Sequence, residues 1–535
     1  MKHYLLIFCL LFSISAFSQE NDFKIRVHDK THLSTKGEYA KKTLFPVKDK
    51  NISNITLNLY LACPETGCSD WDYSISVLLR TTEKGDTINY QLGRMITPYS
   101  GAYNTGDNAK TWNPSWSWDI SNYLPLMKDS VDIIVIYEGY QDGFLASTDF
   151  LFNVDKEKAK KVIKVENIHY GYFPYGNIEK PIDTYVTPKE ITLPKGTKKV
   201  YARVTISGHG GDSTNAAAEF LKKEFYYKVN GKTIATQAIW KDDCGCNPIQ
   251  PQGGTWIYNR AGWCPGTKVN EFIYDLTPYI KGNKATVDID FEYYKTLQIE
   301  KPGYQVAHDI FFLNSNGKIK LPEETKVEIS HYLPNKFVLT YKTNNDATRN
   351  KAYIIEKSTQ NKVYERTQLD NNKEYNETIE LKKGYYNLLF TDSDCDGLSW
   401  WANKEQGNGY VYIYNEDKTK LLEAFEPDFG CKIDYNFIVS DNDSLVKHRD
   451  YKLVAVQDEK AKNYTFIAFT KEGKQEELVL EIKNRKTKEI ISTTTYPKAD
   501  SFNILYDYST LPKGYYEATI RINNWSEIRA FSIKN

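Results

Sequence analysis

This chain of 535 residues has no net charge, few long apolar runs and little helical periodicity. Its 69 basic and 69 acidic residues cancel, and a chain without net charge is not expected to bind nucleic acid or an anionic membrane surface. After Phe17 no apolar run approaches the ~18 residues that a membrane helix needs, so we expect no membrane insertion. Few segments show the period of an amphipathic helix, which argues against a helical protein.

Cysteine is also scarce, and its spacing excludes a common kind of metal site. The eight cysteines include Cys9, which lies in the first apolar segment of the chain. The others are odd in number, so at least one thiol is free or pairs outside the chain. None of the spacings is typical of zinc, and we expect no metal. Cys395 and Cys431 are the only cysteines of the C-terminal region, and we expect them to pair.

The first residues of the chain have the features of a signal peptide. A basic start precedes the apolar run from Tyr4 to Phe17, and Ala16-x-Ser18 stands before the expected cleavage position. The run is too short to span a bilayer. We therefore exclude 1–18 from the fold and expect an exported protein, in the periplasm, at the cell surface or secreted. Disulfides persist in such an oxidising compartment.

Short alternating apolar runs, separated by turn residues, recur along the whole chain. Together with 41 tyrosines and 10 tryptophans they are typical of all-β sandwiches or jelly rolls. The sequence Leu381-Lys-Lys-Gly-Tyr-Tyr386 is echoed by Leu511-Pro-Lys-Gly-Tyr-Tyr516, which indicates a degenerate repeat. We therefore predict four β domains, at 22–155, 160–320, 323–440 and 445–535.

The loop Cys63-Pro-Glu-Thr-Gly-Cys-Ser-Asp-Trp-Asp72 lies between two predicted strands. If its two cysteines are joined, Asp72 is held rigidly at the rim of the sheet beside Trp71. A catalytic carboxylate needs such support and an aromatic wall that raises its pKa. The simpler alternative, which the loop by itself favours, is a disulfide-stapled hairpin whose acids are solvated. Glu138 ends a later buried strand, and it becomes a candidate only if it meets Asp72.

A second unusual loop joins Cys244-Gly-Cys-Asn-Pro248 to Arg260-Ala-Gly-Trp-Cys-Pro-Gly266. Tryptophans and an arginine in a Gly/Pro-rich loop suit sugar recognition, because aromatic faces stack on pyranose rings. The alternative is a stapled loop that packs on its own aromatic side chains, and the residues alone favour neither. Asp392-Ser-Asp-Cys-Asp-Gly397 starts like a calcium loop but lacks the rest of an EF-hand, so an ordinary acidic turn is the favoured interpretation.

The first two blocks resemble the bacterial peptide:N-glycosidase F family, secreted amidases that remove N-glycans from glycoproteins. The order and spacing of the matching motifs hold across 22–316. The segments that carry the resemblance are Cys68-Ser-Asp-Trp-Asp72, Gly93-Arg-Met-Ile-Thr-Pro-Tyr99, Thr205-Ile-Ser-Gly208, Ala218-Glu219, Asn247-Pro248 and Arg260-Ala-Gly-Trp-Cys-Pro-Gly266.

The resemblance implies two adjacent jelly-roll domains with an active site in the cleft between them. By position, the family's catalytic aspartate falls on Asp72, its two supporting glutamates on Glu138 and Glu219, and its active-site arginine on Arg260. With Arg260, we predict that Trp71, Tyr73 and Trp263 bind substrate. No cofactor is implied, and the expected partners are N-linked glycoproteins or glycopeptides, bound by a monomer.

The resemblance also implies the disulfides Cys63–Cys68 and Cys244–Cys264, with Cys246 as the odd thiol. Three departures from the family's pattern, which has Arg, Trp and Trp at these places, bear on glycan preference: Tyr73, His209 and Tyr140. Residues 323–535 have no counterpart in the compact family member, so we expect the first two domains to fold and act without them.

Two other functions remain open from the sequence. One is a glycan-binding protein that keeps the cleft without turnover, for which Tyr73 is the best argument. The other is a glycosidase that uses Asp72 and Glu138 as a carboxylate pair.

Overall fold

The computed structural model of the chain describes residues 22–83, 85–102, 106–141, 143–155, 161–177, 179–211, 218–294, 302–315, 331–439, 448 and 450–533. The predicted signal peptide lies outside these residues. The described chain is built almost entirely of strands, and the predicted all-β fold class is confirmed. Among the described helices, none is long and apolar enough to cross a membrane.

Two four-stranded antiparallel sheets form the first sandwich, in the orders β1-β8-β3-β6 and β2-β7-β4-β5, which is the order of an eight-stranded jelly roll. Alternation builds it: Ile55, Leu57, Leu59 and Leu61 are fully buried, while the residues between them are partly exposed. The strands are β1 (Phe23–Leu33), β2 (Gly37–Leu44), β3 (Ile52–Ala62), β4 (Ser74–Glu83), β5 (Asp86–Ile96), β6 (Ser115–Asp119), β7 (Ser130–Tyr137) and β8 (Phe144–Val154).

The second sandwich repeats this topology, with the orders β14-β11-β16-β9 and β10-β15-β12-β13. Its central strand β11 is buried on both faces, because one face packs on the first sandwich. The strands are β9 (Val162–Pro174), β10 (Lys189–Thr192), β11 (Lys199–His209), β12 (Lys223–Val229), β13 (Lys232–Ile239), β14 (Glu271–Asp275), β15 (Lys284–Phe291) and β16 (Gly303–Leu313).

The two jelly rolls share an interface that contains two buried arginines. Arg94 of the first sandwich donates to the carbonyl oxygen of Gln305 at 3.0 Å. Arg203 of the second donates to the carbonyl oxygens of Gln91 at 2.8 Å and Leu92 at 2.9 Å. Apolar residues of the second sandwich also join the core of the first. Since breaking such buried bonds leaves charges unpaired, the interface fixes the two sandwiches relative to each other.

The third sandwich faces a five-stranded sheet, β17-β25-β22-β19-β20, with a four-stranded one, β21-β18-β23-β24. Only β17 and β25 pair in parallel among the described strands. The strands are β17 (Tyr332–Leu333), β18 (Lys336–Lys342), β19 (Asn350–Glu356), β20 (Lys362–Arg366), β21 (Glu374–Glu380), β22 (Gly384–Asp392), β23 (Tyr410–Asn415), β24 (Leu421–Phe425) and β25 (Lys432–Val439).

The fourth sandwich has seven strands, in the orders β26-β27-β30 and β29-β28-β31-β32. A small apolar cluster that includes Tyr412 and Ile467 joins it to the third sandwich. The strands are β26 (Lys452–Asp458), β27 (Asn463–Phe469), β28 (Glu476–Asn484), β29 (Ile490–Ala499), β30 (Ser501–Asp507), β31 (Gly514–Ile522) and β32 (Trp525–Ile533). That each sandwich is an independent domain stays a prediction.

Helical structure is confined to short connections. The described chain has one α-helical turn, α1 (Gly106–Thr111). The 3₁₀ turns are Ser100–Ala102, Ser121–Met127, Ile182–Thr184, Cys244–Cys246, Thr277–Tyr279, Ala347–Arg349, Lys404–Gln406 and Lys471–Gly473.

The third sandwich packs directly against the loop that follows the turn Cys244–Cys246. The backbone N–H of Cys431 donates to the carbonyl oxygen of Gly245 at 2.7 Å. Trp400 forms an apolar cluster with Tyr99, Trp256 and Ile257. Trp256 is fully buried in this cluster. That the first two sandwiches fold and act without the third stays a prediction, and this contact gives a reason to test it.

Candidate active site

The two loops singled out by the sequence meet around Arg260, whose side chain is fully buried. Its Nε donates to Glu219 Oε1 at 3.3 Å. Its Nη1 donates to the carbonyl oxygens of Thr255 at 3.2 Å and Tyr258 at 2.6 Å. Its Nη2 donates to Tyr99 Oη at 3.3 Å and Thr255 Oγ1 at 3.1 Å. All five N–H groups of the guanidinium are thereby bonded within the protein.

Two aromatic rings lie against the guanidinium. Its central carbon lies 4.8 Å from the ring centre of Phe220 and 4.9 Å from that of Trp263. Trp263 is only 2% exposed and donates its indole N–H to the carbonyl oxygen of Gly208 at 2.7 Å. Cation–π contacts of this kind are stronger when the cation is desolvated. Arg260 is therefore held rigidly.

Asp72 faces this arginine from the first sandwich. Its Oδ2 lies 3.8 Å from Arg260 Nη2, and its side chain is 14% exposed. Burial raises the pKa of Asp72 to about 6; Arg260 opposes this shift, while the charge of Glu219 adds to it. Tyr99 also contacts the carboxylate with a hydrogen bond, which favours the charged form. A carboxyl group with such a pKa can exchange a proton near neutral pH.

Glu219 faces the same arginine from the second sandwich. Its Oε1 accepts the bond from Arg260, and its Oε2 accepts one from the backbone N–H of Gly210 at 3.1 Å. Burial raises the pKa of Glu219, and Arg260 opposes the shift. The preceding Ala218 has φ 65°, in the left-handed region that a non-glycine residue seldom adopts. The carbonyl oxygen of Ala218 lies close to the backbone of Gly208. Glycine is needed there, because a Cβ would overlap this oxygen.

The site therefore joins a carboxylate from each jelly roll across one guanidinium. Comparisons with known proteins show which family this chain resembles. Residues 177–314 match the family model described as "Peptide-N-glycosidase F, C terminal". The peptide-N(4)-(N-acetyl-beta-D-glucosaminyl)asparagine amidase F of Elizabethkingia miricola is 24% identical over 293 residues, which cover 52% of this chain and 79% of that protein. The resemblance to the peptide-N-glycosidase F family is confirmed.

Solved structures of this family are also similar to the chain. The structure of PNGase F, a glycosylasparaginase from Flavobacterium meningosepticum, is 22% identical, with 55% of this chain and 97% of that chain covered and a TM-score of 0.49. The structure of PNGF-II is 17% identical, with 56% of this chain and 66% of that chain covered and a TM-score of 0.46.

Glu138, the second glutamate carried over from the peptide-N-glycosidase F pattern, lies apart from the Arg260 cluster. It follows β7, and its backbone N–H donates to the carbonyl oxygen of Ser74 at 3.1 Å. Within the described part of the chain, its carboxylate pairs with Lys36 at 2.5 Å rather than with Arg260. Its side chain is 38% exposed. The catalytic role of Glu138 stays a prediction.

Among the residues predicted to bind substrate, two have exposed or half-buried rings beside the carboxylates. Trp71 is 55% exposed and meets Tyr99 edge-on, with the ring centres 6.3 Å apart. Tyr73 packs edge-on between Tyr137 and Tyr140. Tyr73, which replaces the family's arginine, therefore belongs to an aromatic wall beside Asp72.

Trp263 and Arg260, also predicted to bind substrate, are both buried. Trp263 supports the guanidinium from beneath and stacks on His209, with the ring centres 5.4 Å apart. It presents no ring face to a sugar, contrary to the sugar-stacking interpretation of this loop. The tryptophans of this loop pack on other segments, Trp263 on His209 and Trp256 beside Tyr99 and Trp400, and a substrate-binding role for Trp263 stays a prediction.

The disulfides carried over from the family are both formed, as Cys63–Cys68 and Cys244–Cys264. Cys395 and Cys431 are also joined, and among the described cysteines Cys246 is the free thiol. Asp392 accepts backbone N–H bonds from Asp396 and Gly397, as an ordinary acidic turn does. No group of three or more possible metal ligands occurs within the described residues.

Two residues of the site were missed from the sequence. Tyr99 lies in a segment that carried the family resemblance, and its hydroxyl contacts both Asp72 and Arg260. Phe220 follows Glu219 directly and covers the guanidinium. The only signals in the sequence were that Tyr99 follows Pro98 and that Phe220 follows Glu219. The fold shows that both residues contact Arg260.

Proposed function

We propose that this protein is an amidase that hydrolyses the bond between N-acetylglucosamine and asparagine in N-linked glycoproteins or glycopeptides. It releases the intact glycan and leaves aspartate in the peptide. One observation carries the proposal: Asp72 of the first sandwich and Glu219 of the second both face the buried Arg260. The relatives named above act on this class of bond, and the two carboxylates fall on their catalytic pattern.

Amide hydrolysis needs an activated water, stabilisation of the tetrahedral intermediate, and a proton for the departing nitrogen. Ionised Asp72 accepts a proton from the attacking water, whose oxygen bonds to the amide carbon. When the carbon–nitrogen bond breaks, Asp72 returns that proton to the nitrogen. The products are an aspartate side chain and a glycosylamine, which then loses ammonia in water. Atoms and charges balance without a cofactor.

Glu219 is placed to hold the attacking water, because its carboxylate is fixed by Arg260 and the Gly210 N–H. Arg260 acts differently from a direct substrate ligand. Its N–H groups all donate within the protein, so it contributes a fixed positive charge behind the two carboxylates. That charge limits the rise in the pKa of both acids and allows Asp72 to remain a base near neutral pH.

The site is completed within one chain, since both sandwiches contribute to it, and we propose that the protein acts as a monomer. We further propose that it acts outside the cytoplasm, on the strength of the signal-peptide features in 1–18. Glycoproteins that carry N-glycans are the substrates expected there.

The proposal is tested by the variant Asp72→Asn, assayed on a small glycopeptide. The change keeps the size and hydrogen bonding of the side chain but removes proton transfer, so the rate of glycan release should fall on the order of a hundredfold or more. Glu65→Gln is the matched control, because Glu65 lies in the same loop and is exposed. Circular dichroism should show that both variants fold. Near-normal turnover by Asp72→Asn would remove Asp72 from the mechanism.

The two alternative functions give different products. A glycosidase leaves asparagine that still carries a sugar, and a glycan-binding protein gives no product while it retains binding. The glycosidase pair proposed from the sequence, Asp72 with Glu138, is less favoured by the geometry, because Glu138 pairs with Lys36. The pair that faces a common partner is Asp72 with Glu219.

A further inference from the structure

A large cleft opens beside the candidate active site, where the loops of the first two sandwiches meet the third and fourth. It encloses about 1000 Å³. Asp70 and Gly253 line the wall nearest Asp72, and Trp401, Asn408 and Asp428 line the wall of the third sandwich. Arg485 comes from the fourth. We call this the Trp401 cleft. Asp70, which is two residues from Asp72, places this cleft near the site.

Trp401 is an unusual surface residue because it is both exposed and fixed. Its side chain is 55% exposed. Its indole Nε1 donates to the carbonyl oxygen of Gly254 at 3.1 Å, and its ring meets Trp400 at 5.9 Å between centres. A tryptophan held by its polar edge presents an apolar face to solvent at little cost in side-chain entropy on binding. Gly254 in turn packs against Tyr99, which contacts Asp72.

The lining of the cleft favours an uncharged polar ligand. Its five basic residues are nearly balanced by six acidic ones, and both arginines are paired: Arg529 lies 3.3 Å from Glu426, and Arg485 lies 3.4 Å from Glu517. Burial and the neighbouring Glu426 raise the pKa of Asp428, so this carboxyl group is more often neutral and can donate as well as accept. Amides such as Asn408 add both donors and acceptors. Sugar hydroxyl groups need this mixture of partners.

We propose that the Trp401 cleft binds the outer sugars of the glycan whose asparagine-linked end lies at Asp72. The inference rests on the proposed function. The ring of Trp401 stacks on a pyranose, and the polar lining bonds to the sugar hydroxyls. Trp71, with the same exposed fraction, meets Tyr99 edge-on and offers a second exposed ring near Asp72.

The variant Trp401→Ala tests the proposal in the full chain. Two free saccharides serve as probes in titration calorimetry: N,N′-diacetylchitobiose and a branched N-glycan that contains it. We expect Trp401→Ala to weaken binding of the branched glycan about tenfold and to leave binding of chitobiose unchanged. Trp401→Tyr keeps a flat ring and should retain most of the affinity. Tyr279→Ala, at another exposed aromatic residue, is the control.

Turnover supplies a second readout. With a glycopeptide that carries the branched glycan, Trp401→Ala should raise KM by a similar factor at unchanged kcat. A glycopeptide that carries only chitobiose should be hydrolysed as by the wild type. Equal losses on both substrates would overturn the proposal, because Trp401 would then only support the Gly254 loop. Unchanged binding of the branched glycan would overturn it as well.

The calorimetric result does not depend on catalysis. If the wild-type protein hydrolyses neither glycopeptide, the proposed function fails, while selective loss of branched-glycan binding in Trp401→Ala still supports the cleft. If the wild type hydrolyses both and the variant behaves identically in every assay, the function stands and the cleft inference is wrong.

Discussion

Two carboxylates share one guanidinium at this site, so one negative charge is left without full compensation. This charge imbalance, added to burial, explains why the pKa of Asp72 rises to about 6 although Arg260 lies beside it. The aromatic rings of Phe220 and Trp263 exclude water from the guanidinium and strengthen every local charge interaction. The pKa of Asp72 is thus set by burial and by two residues outside its own loop, Arg260 and Glu219.

Two substitutions should shift the pKa of Asp72 in opposite directions. Asp72 works as a base when ionised, so activity should decline as the pH falls through about 6. Tyr99→Phe removes a hydrogen bond that favours the charged form, so the acid limb should move to higher pH. Glu219→Gln removes a negative neighbour, so the limb of its residual activity should move to lower pH. The measurement is the pH profile of kcat/KM for each variant.

If Tyr99→Phe loses activity while the acid limb of its pH profile does not move, Tyr99 has only a structural role. Movement of both variants in the same direction would contradict the arrangement of charges described here. Tyr279→Phe, at a tyrosine outside the site, should leave the profile unchanged.

Among the residues of the site, the family resemblance predicted that Asp72, Glu219 and Arg260 share one cleft. Asp72, Glu219 and Arg260 were placed by matching motifs, and the fold brings them together. Glu138 was placed by the same argument, yet its carboxylate turns to Lys36. The contact between Tyr99 and Arg260 spans 161 positions in the chain, and no local pattern in the sequence encodes it.

Among the structural elements, the two loops closed by disulfides position the charged side chains of the site. Cys244–Cys264 closes the loop that carries Arg260 and its carbonyl partners Thr255 and Tyr258. A loop of about fifteen residues gains roughly 3 kcal/mol from such a bond, which is modest beside the cores of the jelly rolls. Catalysis is more sensitive, because small displacements of charged groups change the rate strongly.

We therefore expect the double variant Cys244→Ser/Cys264→Ser to lose at least tenfold in kcat/KM while it remains folded at room temperature. Cys246→Ser is the matched control, since this free thiol lies in the same turn and should be dispensable. Glycopeptide turnover and thermal unfolding are measured together. Full activity of the double variant would show that the disulfide does not position Arg260.

Strands were the most predictable elements. The alternation of Ile55, Leu57, Leu59 and Leu61 predicts β3 with its buried face, and the structure confirms it. The same rule fails for β11, which is buried on both faces because a second sandwich covers it. The pairing orders that make these strands jelly rolls came from the resemblance, since alternation alone does not specify which strands are neighbours.

For the whole molecule, the third sandwich is part of the support for the active site. It covers Trp256 and Ile257, the residues just before the Arg260 partner Tyr258. Gly430 makes the close approach possible: it has φ 69°, and a Cβ there would meet the carbonyl oxygen of Gly245 and the ring of Trp256. The sequence indicated no such contact, because residues 323–535 lack a counterpart in the compact family member.

Deletion of residues 331–535 should therefore lower activity even on a small glycopeptide. The truncated chain exposes Tyr99, Trp256 and Ile257, which are now buried, and loosens the loop that holds Arg260. Gly430→Ala in the full chain is the milder counterpart and should reduce kcat/KM in the same direction. Full activity of both variants on the small glycopeptide would contradict a supporting role for the third sandwich.

The central claim, hydrolysis of the glycosylamide bond by Asp72 and Glu219, is tested most directly by mass spectrometry. A defined glycopeptide is digested in heavy-oxygen water with the wild type and with Asp72→Asn. We predict an intact released glycan and a peptide in which aspartate carries one heavy oxygen, with little of either from the variant. Asparagine that keeps a sugar, or unlabelled aspartate, would contradict the account.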